Sequence, residues 1–538
     1  MELKDTIAAL VPRIFSSLDT NPLSPTYGSF DKAYWWYKTK DFPCARLQEA
    51  VLALALLYKK NKVYHTHHLK ALIEATLHFT LKIQHTNGSF DEWYPREQSY
   101  CATAFVTYAL SETLLLLEKD ISPHLREKVI NHLEKSCSFF LDNPEEIANQ
   151  VAGSLAALYN LFLLTQKEHY KNAARNKLLV LKSLFHPEGW FREYDGPDIG
   201  YQTITLEFLA DYAVKSKDKK AYELLTSGGK FLTYFTPLFG GIYGSRNTRL
   251  CFPYGVLQCA KITKNHELLP LVHQEVKDPL LQSMDDRYAL IYCISYLKTL
   301  FEMSETAICN ILTSARSKKA VSEHAQEPHA PGFSPVVLDK VPKGKRNYLQ
   351  GWHVFPAAGL AVYRDKKRCL VVNGHKGGVF ELSQPRYTDS GIFLRRGKKS
   401  FSSQWIHTSR FTLYGQELVC KGQFVRVPQQ TTLSSFLLFA SRLCAPWVKK
   451  ITRAYLITRA PKSQYFFTRV ITPLQQNIRV VDIIENKQQH ALRIFYGNAD
   501  IQTQYVPTAR FYHVVASNKN DNQKIKSNER CITLKRFL

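Results

Sequence analysis

The chain has 538 residues, more than one ordinary domain holds, and its 45% hydrophobic and 12% aromatic residues exclude a largely disordered protein. The formal net charge is +25, and residues 341–538 hold nearly all of the excess, with 33 Lys and Arg against 9 Asp and Glu. The sequence therefore predicts a neutral part joined to a basic part that attracts a polyanion or an anionic surface.

Residues 1–303 are predicted to form an N-terminal (α/α) toroid. Apolar side chains recur at i, i+3, i+4 and i+7 along successive segments. The predicted helices are 45–59, 68–84, 102–118, 125–141, 147–165, 201–214 and 279–301. Turn residues Gly88, Asn143, Gly189 and Gly241 recur at about the length of two helices with their loops. Such hairpins fit a toroid or an α-solenoid, and the polar, aromatic loops favour the toroid, whose central cleft requires them.

The helical pattern ends before residue 304. Residues 304–346 have no sustained period and are predicted to be a linker, and residues 347–538 are predicted to form a basic antiparallel β-sandwich. The predicted strands are 360–363, 368–373, 379–382, 411–419, 454–458, 465–472, 478–484, 492–496 and 511–516. The stretch 432–450 is predicted to be an amphipathic helical insert. The expected fold class is thus α+β and multidomain.

Three carboxylates and an aromatic side chain mark the loop 87–100, which leads into a predicted helix. Asp91, Glu92 and Glu97 form a candidate general acid–base set, and Trp93 is a candidate platform for a sugar ring. A capped, hydrogen-bonded loop without catalytic function explains the same residues. We retain Glu92 and Trp93 as candidate substrate-binding residues.

The segment 189–203 carries the densest candidate site. Glu193, Asp198 and Tyr201 are predicted to lie where the cleft of a toroid would be, and Trp190 is a further candidate for substrate binding. Asp198 stands where a helix N-cap is expected, so Tyr201 would occupy the first turn. The positive potential at that helix end would favour a phenolate.

The remaining candidate site residues lie outside these two loops. Asn149, one turn into an apolar helix, either caps a neighbouring loop or faces the cleft, because a buried amide needs partners. Arg246 and Arg249 either clamp a substrate carboxylate or form ordinary loop–helix salt bridges. His375 lies in a Gly-rich turn and is either solvated or turned towards the toroid. We find no metal-ligand spacing in the sequence and expect neither a metal nor an obligatory cofactor.

Several of these motifs together resemble the heparinase II/III-like proteins and related uronate polysaccharide lyases. The resemblance covers most of residues 40–510. It depends on Asn149 in its small-residue helix, the loop 193–201, the run 355–363, and the segment 375–380 followed by 389–391.

The resemblance implies a function and residue roles. It implies that Asn149 neutralises the carboxylate of a hexuronate, that Tyr201 transfers a proton, and that His375 assists. The family often has His directly after this Asn, where the present chain has Gln150. A C5 proton is poorly acidic until the adjacent carboxylate is neutralised, and the same intermediate leads to a lyase or to an epimerase. To act as a base, Tyr201 would need nearby cations that lower its pKa from about 10.

Two other functions remain open from the sequence. A glycoside hydrolase of the (α/α) toroid class would pair Glu92 or Glu97 with Asp198. A non-catalytic scaffold in surface-polysaccharide assembly would bind polyanions or a membrane through the basic part, and 432–450 either docks on the bilayer or packs on the sandwich.

The expected partners and location follow from the same composition. We expect an acidic polysaccharide or oligosaccharide as partner, an anionic membrane surface as a second option, and no specific nucleic acid, because no nucleic-acid-binding module is recognisable. The 11 cysteines include no C-x-x-C pair, and the N-terminus lacks a signal-peptide pattern. These features predict a cytoplasmic protein, peripheral at the inner membrane surface if it binds lipid.

Overall fold

The computed structural model describes residues 3–194, 196–236, 241–245, 252–272, 286–306, 350–404, 409–427, 462–496 and 525–538. Helices occupy the N-terminal part and antiparallel strands the C-terminal part, so the predicted fold class is confirmed. The described helices are α1 Leu3–Ser17, α2 Lys32–Trp35, α3 Val51–Lys60, α4 His67–Lys82, α5 Tyr100–Leu116, α6 Pro123–Asp142, α7 Ala148–Thr165, α8 Glu168–Ser183, α9 Ile199–Ser216, α10 Lys219–Thr233, α11 Pro253–Thr263 and α12 Asp286–Thr306. Short 3-10 helices cover Ala45–Ala50, Lys62–Tyr64 and His266–Leu268.

The helices form two concentric layers. Helices α3, α5, α7, α9, α11 and α12 pack side by side in that order, and α12 contacts α3 and Ala45–Ala50, which closes an inner ring. Helices α4, α6, α8 and α10 pack outside it. The inner helix α7 is buried on almost every side, as its apolar sequence requires, whereas the outer α6 and α8 keep a charged exposed face. An outer helix runs back between successive inner helices from α5 to α11, so these inner helices begin at one end of the ring, which we call the mouth.

The strands form two sheets. Their bounds are β1 Gly351–Phe355, β2 Leu360–Arg364, β3 Cys369–Asn373, β4 Val379–Leu382, β5 Tyr387–Asp389, β6 Ile392–Arg396, β7 Lys399–Ser402, β8 Ser409–Tyr414, β9 Glu417–Arg426, β10 Lys462–Pro473, β11 Ile478–Glu485, β12 Leu492–Tyr496, β13 Ile525–Ser527 and β14 Cys531–Phe537. Strands β1 to β5 form the first sheet in sequence order. The second has the order β13-β12-β6-β7-β9-β10-β11-β14, with β8 paired to β9. Residues of both sheets, such as Val372 and Ile471, share one apolar core, as in a sandwich.

Some details differ from the sequence-based expectations. The predicted single strand 411–419 is the hairpin β8–β9, which turns at Gly415 with a φ of +57°. Helix α12 continues to Thr306, into the predicted linker. The rest of that linker, the predicted insert 432–450 and the predicted strands 454–458 and 511–516 lie outside the described residues.

Four buried charges join the two sheets. Arg469 of β10 donates to Asp389 of β5 at 2.6 Å and to Asp482 of β11 at 2.6 Å, and Arg536 of β14 donates to the same carboxylates at 2.7 and 3.0 Å. Burial alone would raise the pKa of Asp389, but the two guanidinium groups hold it below its usual value. The cluster is charge-balanced, so each buried ion has its partner.

The helical and β parts share an extensive interface. Arg364 of β2 donates to the carbonyl oxygens of Thr233 at 3.0 Å and Tyr234 at 2.6 Å, at the C-terminus of α10, where the helix dipole favours a cation. The Glu188 carboxylate accepts the backbone N–H groups of Ala357 and Ala358, each at 2.9 Å. The β part is thereby fixed against the loops of the helical ring.

Candidate active site

The mouth of the ring collects the loops that enter the inner helices. Each inner helix begins there with unsatisfied backbone N–H groups and the positive end of its dipole. Backbone hydrogen bonds connect these loops. Ala148 N–H donates to the carbonyl oxygen of Arg192 at 3.4 Å, and Ser245 N–H donates to the carbonyl oxygen of Pro197 at 3.0 Å. Several helix N-termini around one opening make a favourable environment for an anion.

Asn149 and Glu193 form a buried pair at the start of α7. The backbone N–H of Asn149 donates to Glu193 Oε1 at 2.8 Å, and its side-chain Nδ2 donates to Oε2 at 2.6 Å. Thr205 Oγ1 adds a third donor at 3.3 Å. Burial raises the pKa of Glu193 to about 8, although the bonds from Asn149 oppose the rise. Asn149 therefore caps a neighbouring loop, one of its two predicted roles, and its amide already binds a carboxylate of the chain.

Tyr201 lies in the first turn of α9, half-buried at the mouth. Its ring lies 6.4 Å from that of Tyr194, and Tyr288 and Tyr292 of α12 are also close enough to affect its charge. Burial raises the pKa of Tyr201 well above its usual value, and the neighbouring phenols and Asp198 raise it further. Nearby cations that lower this pKa, the condition set for a base, are thus not among the main influences in the described surroundings of Tyr201.

Asp198 is the N-cap of α9, as predicted. Its Oδ1 accepts the backbone N–H of Tyr201 at 3.2 Å, and its side chain is almost fully buried. The loop 241–245 passes so close to Asp198 that a Cβ on Gly244 would lie 2.6 Å from Oδ2. Asp198 thus orients the first turn that carries Tyr201 and lies beneath this loop.

The β part supports the same loop from the opposite side. Lys376 Nζ donates to the carbonyl oxygens of Ile242 at 2.9 Å and Gly244 at 2.8 Å. Asn373 Nδ2 donates to the carbonyl oxygen of Tyr243 at 2.7 Å. Glu381 Oε1 accepts the N–H of Ile242 at 3.0 Å. Three side chains of the first sheet thereby position a loop that contacts the cap of α9.

His375 lies beside this contact, half-buried within the β part. Its ring is 5.7 Å from the ring of Phe411, and a Cβ on Gly359 would come within 2.5 Å of its Cγ. Its neighbour Lys376 is the residue of this turn that bonds to the helical loop 241–245. In this turn it is Lys376 that contacts the helical loop 241–245, whereas the ring of His375 lies beside Phe411 and Gly359 within the β part.

A second group of residues lies where α12 begins beside the loop 87–100. Arg287 places its guanidinium carbon 4.0 Å from the centre of the Trp93 ring and donates to Glu92 Oε1 at 2.5 Å. Trp93 is 47% exposed and lines a groove of about 460 Å³ with residues 38–42. The stacked pair thus presents an aromatic side chain and a cation at the rim, whereas Glu92 is buried beneath them.

The other predicted site residues differ in their placement. Glu97 is buried and its Oε2 accepts the N–H groups of Glu92 at 2.9 Å and Trp93 at 2.8 Å, so it organises the loop. Trp190 is buried, stacks on His186 and donates Nε1–H to Glu188 at 2.9 Å. Its ring offers no open face to a sugar in this structure. The predicted carboxylate clamp, Arg246 and Arg249, lies outside the described residues.

Sequence reasoning missed four residues that the structure brings to the mouth: Arg287, Tyr288, Tyr292 and Lys376. The first three belong to α12, far along the chain from the loops they meet. A usable signal was the cluster Asp286-Arg287-Tyr288 at the start of a long apolar helix. Lys376 was visible beside His375 in the Gly-rich turn.

Two kinds of feature are absent from the described residues. They contain no group of three or more His, Cys, Asp or Glu side chains arranged to hold a metal ion. No helix among them is long and apolar enough to cross a membrane.

Comparison with known proteins points to polysaccharide lyases. Residues 35–255 match the family model of the ulvan lyase N-terminal domain. Comparison with curated protein sequences found no significant match. The structure resembles chondroitin AC lyase of Streptomyces coelicolor A3, with a TM-score of 0.51 and 9% identity over 92% of this chain and 67% of that one. It also resembles a Paenibacillus xanthan lyase, with a TM-score of 0.50 and 11% identity over 92% of this chain and 47% of that one.

These likenesses differ in what they show. At 9% and 11% identity the two solved structures show a common fold, and the present chain spans about half the length of the xanthan lyase. The family match covers the helical loops that carry Asn149, Asp198 and Tyr201. The chain is thus similar to the ulvan lyase N-terminal domain over residues 35–255, and it shares its fold with the two solved lyases.

Proposed function

We propose that this protein acts on an acidic, uronate-containing polysaccharide by removing the C5 proton, with elimination or epimerisation as the outcome. The observation that carries the proposal is the placement of Tyr201 at the mouth of the ring, on a turn oriented by Asp198. The match of residues 35–255 to the ulvan lyase N-terminal domain supports this class of chemistry.

The mouth suits an anionic sugar. The N-terminus of α11 supplies positive potential, whereas Glu193 and Asp198 already bind N–H groups that begin α7 and α9. Arg287 supplies a cation beside Trp93 at the rim. Trp93, stacked on that guanidinium, offers a flat apolar surface for a pyranose ring. A carboxylate bound here would lose the charge that opposes removal of the C5 proton.

Tyr201 is the proton-transfer group of the proposal. As phenolate it takes the C5 proton; in elimination the C4–O bond then breaks and the phenol returns a proton to the leaving oxygen. In epimerisation C5 instead takes a proton from water on the opposite face, and the Tyr201 phenol gives up the abstracted proton to the hydroxide that is left. Because burial raises the pKa of Tyr201, only a small fraction is phenolate at neutral pH, so kcat/KM should rise with pH, by up to about tenfold per pH unit.

The proposal is tested on a panel of polysaccharides that includes ulvan, xanthan and chondroitin sulphate. Absorbance of unsaturated uronate reports elimination, and NMR reports the configuration at C5. We expect Tyr201→Phe to lower kcat at least about 100-fold. Tyr222→Phe on the outer helix α10 is the matched control and should retain full activity.

Two results would overturn the proposal. The first is the absence of elimination and epimerisation on every polysaccharide tested, which would favour the non-catalytic scaffold. The second is hydrolysis that Asp198→Asn abolishes while Tyr201→Phe leaves it intact, which would favour the glycoside hydrolase. Asn is itself a good N-cap, so the Asp198 variant keeps α9 in place.

A further inference from the structure

The second sheet carries a basic row at its edge, far along the chain from the mouth. In the antiparallel pairing of β12 with β6, Arg493 lies directly opposite Arg395. In the pairing of β12 with β13, the same Arg493 is in register with Lys526. Directly opposed residues project from the same face of a sheet, so Arg395 and Arg493 stand side by side on one face. We call this pair the arginine row.

The two arginines of the row are exposed and have no acidic partner in the part of the chain that the structure describes. None of the ion pairs in the described ranges includes Arg395 or Arg493. Arg395 donates its Nε–H to the carbonyl oxygen of Gly397 at 3.2 Å. Glu529, the acidic residue beside the turn after β13, forms no ion pair with either arginine in these ranges. Like charges directly opposite each other destabilise a sheet, so the sheet gains no stability from the row.

A groove accompanies the row. Its volume is about 610 Å³, and Arg395 and Arg493 line it together with the polar residues Ser527 and Asn528. Neighbouring strands lie about 4.8 Å apart, so a bound polymer can contact both arginines at once. The hydroxyl and amide at the rim can bond to sugar hydroxyl groups. The chain that supplies these residues has a net charge of +24 in its last 198 positions, so the long-range field attracts the same polyanion.

We propose that the arginine row and its groove bind a segment of acidic polysaccharide away from the mouth, as an accessory site that retains the polymer. This inference rests on the proposed function, because the same polymer would supply the sugar at Tyr201. The chemistry of recognition is guanidinium with carboxylate or sulphate groups, in a fixed spacing set by the strands. Shape and charge at the row favour a linear polyanion over a single small anion.

The test is affinity electrophoresis in gels that contain chondroitin sulphate, with uncharged dextran gels as reference. The variant Arg395→Ser/Arg493→Ser should bind the polysaccharide about tenfold more weakly than the wild type. The matched control is Arg410→Ser/Lys421→Ser, which removes an equally exposed, directly opposed basic pair on β8 and β9. This control should be retarded like the wild type.

Several outcomes would overturn the inference. Equal losses in the two double variants would show that net charge, not the row, retains the polymer. An unretarded wild type would show that no accessory site exists for this polymer. Loss of binding to phosphatidylserine vesicles by the row variant, with unchanged retardation in chondroitin sulphate, would assign the row to a membrane surface.

Turnover separates this inference from the proposed function. The row variant should act on a short oligosaccharide at the wild-type rate, because neither arginine lies at the mouth. If no protein turns over any substrate but retardation still depends on Arg395 and Arg493, the row stands and the proposed function fails. If turnover is present and the row variant is retarded like the wild type, the proposed function stands and the accessory site fails.

Discussion

Replacing Glu193 by Gln should remove a pH dependence from the stability of the helical ring. Glu193 is fully buried, and its pKa rises from 4.5 to about 8 on folding because burial disfavours the charged form. The unfolded chain therefore loses this proton at lower pH than the native protein does. Between these pH values the native state binds more protons, so the free energy of unfolding falls as the pH rises.

The structure sets the size of the effect. A pKa change from 4.5 to about 8 corresponds to roughly 5 kcal/mol of stability lost by the wild type across that pH range. Glutamine does not ionise and retains an acceptor for the backbone N–H of Asn149, while the Asn149 amide can turn to pair with the new NH₂ group. We expect Glu193→Gln to lie within about 1 kcal/mol of the wild type at pH 5. At pH 9 it should be several kcal/mol more stable.

Urea unfolding at a series of pH values, followed by tryptophan fluorescence, measures this difference. Glu207, whose burial also raises its pKa, to about 7, is present in both proteins, so its contribution cancels. The exposed Glu146→Gln is the matched control and should follow the wild-type curve at every pH. Parallel curves for Glu193→Gln and the wild type would refute the reasoning and show that Glu193 is ionised throughout.

Three further changes test other parts of the structure. Asp389→Asn leaves Arg469 without one of its buried counter-charges and should cost about 3–5 kcal/mol in urea unfolding; a loss below about 1 kcal/mol would contradict the buried cluster. Lys376→Met leaves the carbonyl oxygen of Ile242 without its donor and should speed hydrogen exchange in the loop 241–245, whereas unchanged exchange would show that the lysine does not support it. Trp93→Ala should raise KM with little change in kcat, and a fall in kcat alone would speak against a sugar-binding role.

Much of the helical part could be predicted because burial and periodicity agree there. The apolar run of α7 and the amphipathic α6 gave correct helices within a few residues, whereas α8 was not among the predicted helices. The hairpin β8–β9 was missed because the apolar residues on both sides of Gly415 were assigned to one strand, although this glycine is a turn signal. The strand register that aligns Arg395 with Arg493 was equally hidden, since it depends on pairing between segments about a hundred residues apart.

The site was only partly predictable for the same reason. The role of Asp198 as N-cap follows from the local sequence, and Asp198 caps α9 in the structure. The pairing of Asn149 with Glu193 joins residues 44 positions apart and could not be derived from spacing. The tyrosines of α12 meet Tyr201 only when the ring closes. The raised pKa of Tyr201 could not be derived either, because burial depends on that closure, whereas the helix end is visible in the sequence.

The β part contacts the helical part in two places: Arg364 binds the end of α10, and the first sheet supports residues 241–245. These contacts matter for any truncated form of the protein. A fragment cut after α12 would expose the carbonyl oxygens of Thr233 and Tyr234 and the apolar surface that now faces Phe355. Such a fragment would lack the scaffold that shapes one wall of the mouth. Engineers who wish to graft this ring onto another protein would have to transplant the neighbouring sheet with it.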